Sequence, residues 1–249
     1  MSILKKLYDK SKIWFAVFWI IAYCVLMSIG DNISTIIGIE KSITLPIGII
    51  LSVLILIFLK KNELLSDYGL CTPNSSLKSM LYYIPVLLML SANLFYGVKL
   101  NYNELETTLY IITMICVGFL EEIIFRGFLF EAMRKDNVKV AIIVSSITFG
   151  IGHIINLFNG SNVELLSNIL QVVYASVAGF MFVMIYYKSK SLLICIFAHG
   201  FFNSLSVFIN EDSLTDKMQI LSSIFLIIVT GSYALYLALS LKKKSKETN

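Results

Sequence analysis

Glu121, Glu122 and Arg126 interrupt the apolar run Thr107–Phe130. An ionisable side chain at the centre of a bilayer costs about 2.5–3.5 kcal/mol or more, so such groups are rare and usually functional. Of the 16 carboxylates in the chain, these two glutamates alone lie deep in an apolar run. The chain has 2 histidines, His153 and His199, and both also fall within apolar runs. Glu122 and Arg126 are spaced i,i+4, on one helix face and in the favourable acid-before-base order. They read as a structural ion pair in which Arg126 neutralises and orients its partner. Glu121 points about 100° round the helix. It faces a neighbouring helix, where a carboxylate can act as a general base.

Phe149 and His153 are again i,i+4, with Gly150 and Gly152 between them. Small residues let another backbone come close. The helix bearing Glu121 is therefore expected to pack at these glycines and bring its carboxylate to the imidazole. His199 and Asn203 share a third helix face. Two N–H donors aimed at one point are what an oxyanion hole needs. Each piece also has a plainer explanation. A glutamate in a span can be a packing ion pair, and a histidine or asparagine can be an interhelical hydrogen-bond group. Chance does not easily place the only deep carboxylates and the only histidines at helical spacing on three neighbouring segments.

The elements that must hold these groups are membrane helices. The chain has 249 residues, 57% hydrophobic and 14% charged, with a mean hydropathy of +0.82. Soluble domains carry about 25% charged residues. The apolar runs are Ile13–Gly30, Ile43–Leu59, Met80–Val98, Thr107–Phe130, Val138–Phe158, Leu165–Tyr187, Ser191–Ile209 and Met218–Leu241. Each is near or above the roughly 20 residues that cross a bilayer as a helix. The expected fold is all-α: a polytopic membrane bundle of about eight transmembrane helices, forming a single domain over residues 1–249. The first run is too long for a signal-peptide core and lacks a small-x-small cleavage site, so it is expected to be retained. The first three helices read as packing and lipid contact, with Pro85 kinking the third. Cys24, Cys71, Cys116 and Cys195 form no CxxC pair and read as small apolar side chains.

With eight spans, both termini share one side. The basic residues then fall on that side in every case but Lys41, Lys99 and Lys217, out of 20. They are Lys5, Lys6, Lys10, Lys12, Lys60, Lys61, Lys78, Arg126, Arg134, Lys135, Lys139, Lys188, Lys190, Lys242, Lys243, Lys244 and Lys246. The positive-inside rule makes that side cytosolic. The net charge of +4 reflects these loops and calls for no nucleic-acid partner. Asp136-Asn137 reads as a turn between the fourth and fifth helices. Glu121 and His153 are each 16 positions from Asn137, so an antiparallel hairpin sets both about 24 Å from its tip.

The ordered motifs Glu-Glu-x-x-x-Arg (121–126), Phe-x-x-x-His (149–153) and His-x-x-x-Asn (199–203) resemble those of the CPBP group. These are the CAAX-prenyl endopeptidase and bacteriocin-processing proteins, also called the Abi family. The resemblance implies an intramembrane endopeptidase with a catalytic core at about 107–210. Glu121 and His153 would activate water, and His199 and Asn203 would stabilise the oxyanion. Glu122 and Arg126, with Phe149, would support them. The substrate would be a peptide or a lipidated protein met at the membrane lipid, cut near the cytosolic face.

The group is often described as metalloproteases. Glu121, His153 and His199 would make a His₂Glu set for Zn2+ with water in the fourth place. A metal-free, glutamate-type site is favoured, because giving His199 to zinc leaves the oxyanion hole half built. Two other readings stay open. One is a bacteriocin-immunity or membrane interaction protein with a vestigial site. The other is a proton relay or transporter, against which stands the lack of an inverted repeat.

Overall fold

The computed structural model describes residues 3–74, 80–159 and 163–247, with side chains to residue 241. Lys78 lies outside the described residues. The side chains of Lys242, Lys243, Lys244 and Lys246 lie outside the described side chains.

The chain folds into α1 (Ile3–Lys10), α2 (Lys12–Ile37), α3 (Thr44–Lys61), α4 (Tyr83–Ser91), α5 (Glu104–Glu121), α6 (Val138–Gly152), α7 (Leu165–Ser189), α8 (Leu193–Leu205) and α9 (Asp216–Glu247). Several helices continue in altered geometry. After α5 comes a π-helical stretch, Glu122–Phe130, and a last α-turn, Glu131–Arg134. Tight 3₁₀ turns extend α4 over Ala92–Tyr96, α6 over His153–Leu157 and α8 over Ser206–Phe208.

The helix ends follow from their capping residues. Ser11 accepts from the Trp14 N–H at the start of α2, and Gly38, at φ 77°, closes that helix by donating to Ser34 and Thr35 carbonyls. Asn103 caps α5, whose first turn carries Glu104 and Glu106 at the positive end of the helix dipole. Asn137 accepts from the Lys139 and Val140 N–H groups and starts α6 directly after the turn at Asp136. The fourth and fifth helices thus form the expected hairpin.

The bundle is a multi-pass membrane fold. Among the described residues, six helices are long and apolar enough to cross a bilayer, counting α5 and its continuation as one span, Glu104–Arg134. Two of the eight expected segments are shorter than the rest. The third and seventh are shorter apolar helices, Tyr83–Tyr96 and Leu193–Phe208. Pro85 lies in the first turn of α4 rather than at a kink. A missing N–H costs little in a first turn, where those donors lack helical partners anyway.

The span containing α5 sits at the centre. It is flanked by α3 and α8 along α5 itself, and by α2 and α6 along the π-helical stretch. Helix α7 packs between α6 and α9. Two glycine crossings set these distances. A Cβ on Gly118 would lie 2.5 Å from the Gly200 backbone nitrogen, so α5 and α8 touch main chain to main chain. A Cβ on Gly150 would lie 1.9 Å from Ser176 Oγ and 2.7 Å from the Val172 carbonyl oxygen. The close approach at Gly150 is therefore to α7 and not, as its small size suggested, to the helix bearing Glu121. A Cβ on Gly152 would meet the Phe125 ring of the π-helical stretch at 3.9 Å, an ordinary van der Waals contact.

The loops gather at two ends. At the lysine-rich end the Tyr68 hydroxyl donates to Tyr8, Leu192 N–H to Gly69 and Asn74 N–H to Ser189. At the other end Lys99 pairs with Asp212, Glu40 N–H donates to Glu106, and Val98 forms an isolated antiparallel bridge with Ile209.

Candidate active site

Glu121 and Glu122 are both buried, at 8% and 0% exposure, and so is Arg126 at 0%. The π-helical stretch that begins at Glu122 is buried at every residue. Its loosened ladder is braced from α6, where Ser145 Oγ donates to the Phe125 carbonyl at 2.8 Å. π-Helical turns are rare and concentrate at functional sites.

Arg126 Nη1 donates to Glu122 Oε1 at 3.1 Å. The guanidinium carbon sits 4.1 Å from the centre of the Phe149 ring, a cation–π contact in a dry setting. His199 bridges the two acids. Its Nδ1 is 2.9 Å from Glu122 Oε1 and its Nε2 is 3.3 Å from Glu121 Oε2. The imidazole lies parallel to Phe182 on α7 and edge-on to Phe149 on α6. Three helices therefore fix its plane. The close contact of Gly118 with Gly200, the residue after His199, is what brings this ring to the acids.

Glu121 has a partner that composition and spacing did not reveal. The Tyr23 hydroxyl, from α2, donates to Glu121 Oε1 at 2.6 Å. The first helices thus do more than pack. The available signal was a polar-tipped ring in the middle of the first apolar run, which interface anchoring does not explain.

His153 begins the 3₁₀ turn after α6. Its Nδ1 is 3.1 Å from the Phe149 carbonyl, its ring lies edge-on to Phe149, and its own carbonyl accepts from Asn168 Nδ2 at 2.8 Å. The expected direct contact between Glu121 and His153 is replaced by one between Glu121 and His199. His153 instead shares a cavity of about 350 Å³ with Glu121, Tyr23, Phe149 and Asn203. A smaller recess beside it, about 40 Å³, is lined by His153, His199 and Asn203 together. All seven residues singled out by spacing thus meet around one place.

Seven buried side-chain polar atoms lack a hydrogen-bond partner among the described residues, and four belong to Glu121, Glu122 and Arg126. Unsatisfied buried groups concentrated at one spot call for an explanation other than packing. The donor set does not fit a metal. No three His, Cys, Asp or Glu side chains converge as a ligand group among the described residues. Both nitrogens of His199 face carboxylates, and the set Glu121, His153 and His199 does not close round a point. The four cysteines are unpaired.

The cavity has a direction. From Glu121 it extends past Ser28 and Tyr110 to Asp31, Lys41 and Asn159, which belong to the end poor in lysine. There Lys41 Nζ pairs with Asp31 at 2.9 Å and with Glu40 at 3.2 Å. Burial pulls the Lys41 ammonium down, but the charges of Asp31 and Glu40 outweigh it and hold the group above its ordinary range. A raised lysine keeps its charge, and the stability its pairs give, until the pH rises through the folded value. The lysine-rich end is packed with aromatic rings. Phe15, Phe58, Phe128, Tyr8 and Tyr68 interlock there, with Phe15 and Phe128 centred 5.0 Å apart, and all five are buried.

Residues 103–205 match the family model described as Type II CAAX prenyl endopeptidase Rce1-like. The chain is also similar to the "Putative membrane peptidase YdiL" of Bacillus subtilis (strain 168), with 27% identity over 124 residues. That match covers 49% of this chain and 46% of the relative, so the shared part spans about half of each. No solved structure matches the chain. The segment 103–205, which carries all three motifs, is a segment of the CPBP family, of the Rce1-like kind.

Proposed function

We propose that the chain is an intramembrane endopeptidase of glutamate type, a single transmembrane unit with its catalytic core at about 107–210. The observation that carries this reading is the buried Glu121 carboxylate, held on one oxygen by Tyr23, facing His199 with the other, and lining a cavity shared with His153 and Asn203. A water beside Glu121 and His153 attacks the scissile carbonyl carbon and gives its proton to Glu121. The carbonyl oxygen becomes an oxyanion in the recess between His199 and Asn203, where Asn203 donates from its amide and His199 from Nε2. The tetrahedral intermediate collapses, the C–N bond breaks, and Glu121 passes the proton to the leaving nitrogen. Glu122 holds His199 through Nδ1, and Arg126 holds Glu122, so neither needs to touch substrate. Zinc chemistry is not part of this reading, since the donors do not gather as a ligand set.

The substrates are membrane-associated peptides or lipidated protein tails, the class suggested by a family described as CAAX prenyl endopeptidases. The lysine-rich end, with both termini, is assigned to the cytosol. The test is a mass-spectrometric comparison of membrane-bound and released peptides from cells carrying wild type or Glu121→Gln. The expected result is a set of new C-termini found only with wild type. Identical peptide sets, with the variant's phenotype intact, would favour a non-catalytic immunity protein instead.

A further inference from the structure

We infer that the active-site cavity opens on the extracytosolic side of the membrane, and that the chain acts on peptides lying against that leaflet. The substrate half of this statement rests on the peptidase reading above; the side of opening does not. Three observations carry it. First, the cavity runs one way. On α2 its wall continues from Tyr23 through Cys24, Met27 and Ser28 to Asp31, eight residues or about 12 Å along the helix. It ends among Lys41, Asn159 and Ile209.

Second, the opposite direction is blocked. The π-helical stretch Glu122–Phe130 is buried throughout. Beyond it lies the aromatic plug of Phe15, Phe58, Phe128, Tyr8 and Tyr68. Third, the blocked end is the lysine-rich one. Nearly all of the chain's basic residues fall there by sequence, which marks the cytosolic side. A site facing the cytosol, expected from sequence, would need a route through that plug.

The mouth also indicates what enters. Lys41 at the mouth pairs with two acids, Asp31 on the cavity wall and Glu40 beside it, so this cluster carries a net negative charge. Apolar and aromatic side chains, Met27, Val117, Phe125 and Phe202, line the way with Asn156, Asn203 and Gln171. Such a wall suits an extended, partly apolar peptide with a basic residue near the rim.

The test is thiol accessibility in a background where Cys24, Cys71, Cys116 and Cys195 are replaced by Ser or Ala. Single cysteines are introduced as Ser28→Cys in the cavity, Leu100→Cys at the lysine-poor end and Asp136→Cys at the hairpin tip. Each is exposed to a membrane-impermeant cationic methanethiosulfonate, in spheroplasts and in inverted vesicles. Ser28→Cys and Leu100→Cys should react in spheroplasts, and Asp136→Cys only in inverted vesicles. Reaction of Ser28→Cys from the vesicle side alone, or from neither side while Leu100→Cys reacts, would overturn the inference. So would reaction of Leu100→Cys from the vesicle side alone. If Ser28→Cys does not accumulate, retaining native Cys24, which lines the same cavity, provides the reporter. The labelling pattern is independent of cleavage, so this inference and the peptidase reading fail separately.

Discussion

At the scale of single residues, His199 holds the site together, because each of its nitrogens meets a different glutamate. The Glu122–Arg126 pair behind it has no exposure. Removing one partner of a buried pair leaves an uncompensated charge and costs about 3–5 kcal/mol. Arg126→Ala should therefore lower thermal stability in detergent sharply, and a melting temperature within a degree of wild type would refute the pairing. Tyr23→Phe keeps the ring and removes the donor to Glu121. Hydrogen bonds to charged groups contribute about 1.5–3 kcal/mol, so turnover should fall roughly 10–100-fold with KM little changed. An unchanged turnover would reduce Tyr23 to packing. Dialysis against a chelator should leave the rate as it was, since the donors do not gather round a metal position. Activity lost to the chelator and restored by zinc would contradict the glutamate-type assignment.

At the scale of elements, much was legible. The hairpin between α5 and α6 followed from Asp136-Asn137, and its arms bring Glu121 and His153 to one cavity as their equal distance from the turn required. Three features were not legible, each for a physical reason. The π-helical stretch has no period that separates it from an α-helix over nine residues. The shortness of α4 and α8 was hidden because the apolar runs read straight through their ends. The partner of each glycine depends on tertiary packing: Gly150 meets α7, whereas Gly118 meets Gly200. This last contact yields a prediction. A Cβ at Gly118 must move α5 away from α8, since the obstruction is backbone on both sides. Gly118→Ala should thus separate His199 from the glutamates and abolish cleavage even where folded protein survives in the membrane. Full activity in Gly118→Ala would show that the crossing does not position the site.

At the scale of the whole molecule, the bundle encloses a buried polar cluster beside a cavity whose described lining reaches the lysine-poor loops. The aromatic plug closes the lysine-rich end, and the cavity runs from Glu121 to the opposite loops. Charge distribution along the sequence distinguished the two ends, but no pattern of residue types indicated which of them the cavity would reach. That is decided by tertiary packing. The same architecture explains why a glutamate can serve as base here. It is buried within the bundle yet lines a cavity.

The most direct measurement is the cleavage rate of purified, reconstituted protein and its Glu121→Gln variant, on a peptide first identified by the cellular comparison. The replacement keeps the size and one acceptor oxygen for Tyr23 but cannot take a proton from water. General-base catalysis contributes about 10²–10⁴-fold, and a loss of that order is the expected result. A variant that cleaves within a few-fold of wild type would contradict the account at its centre.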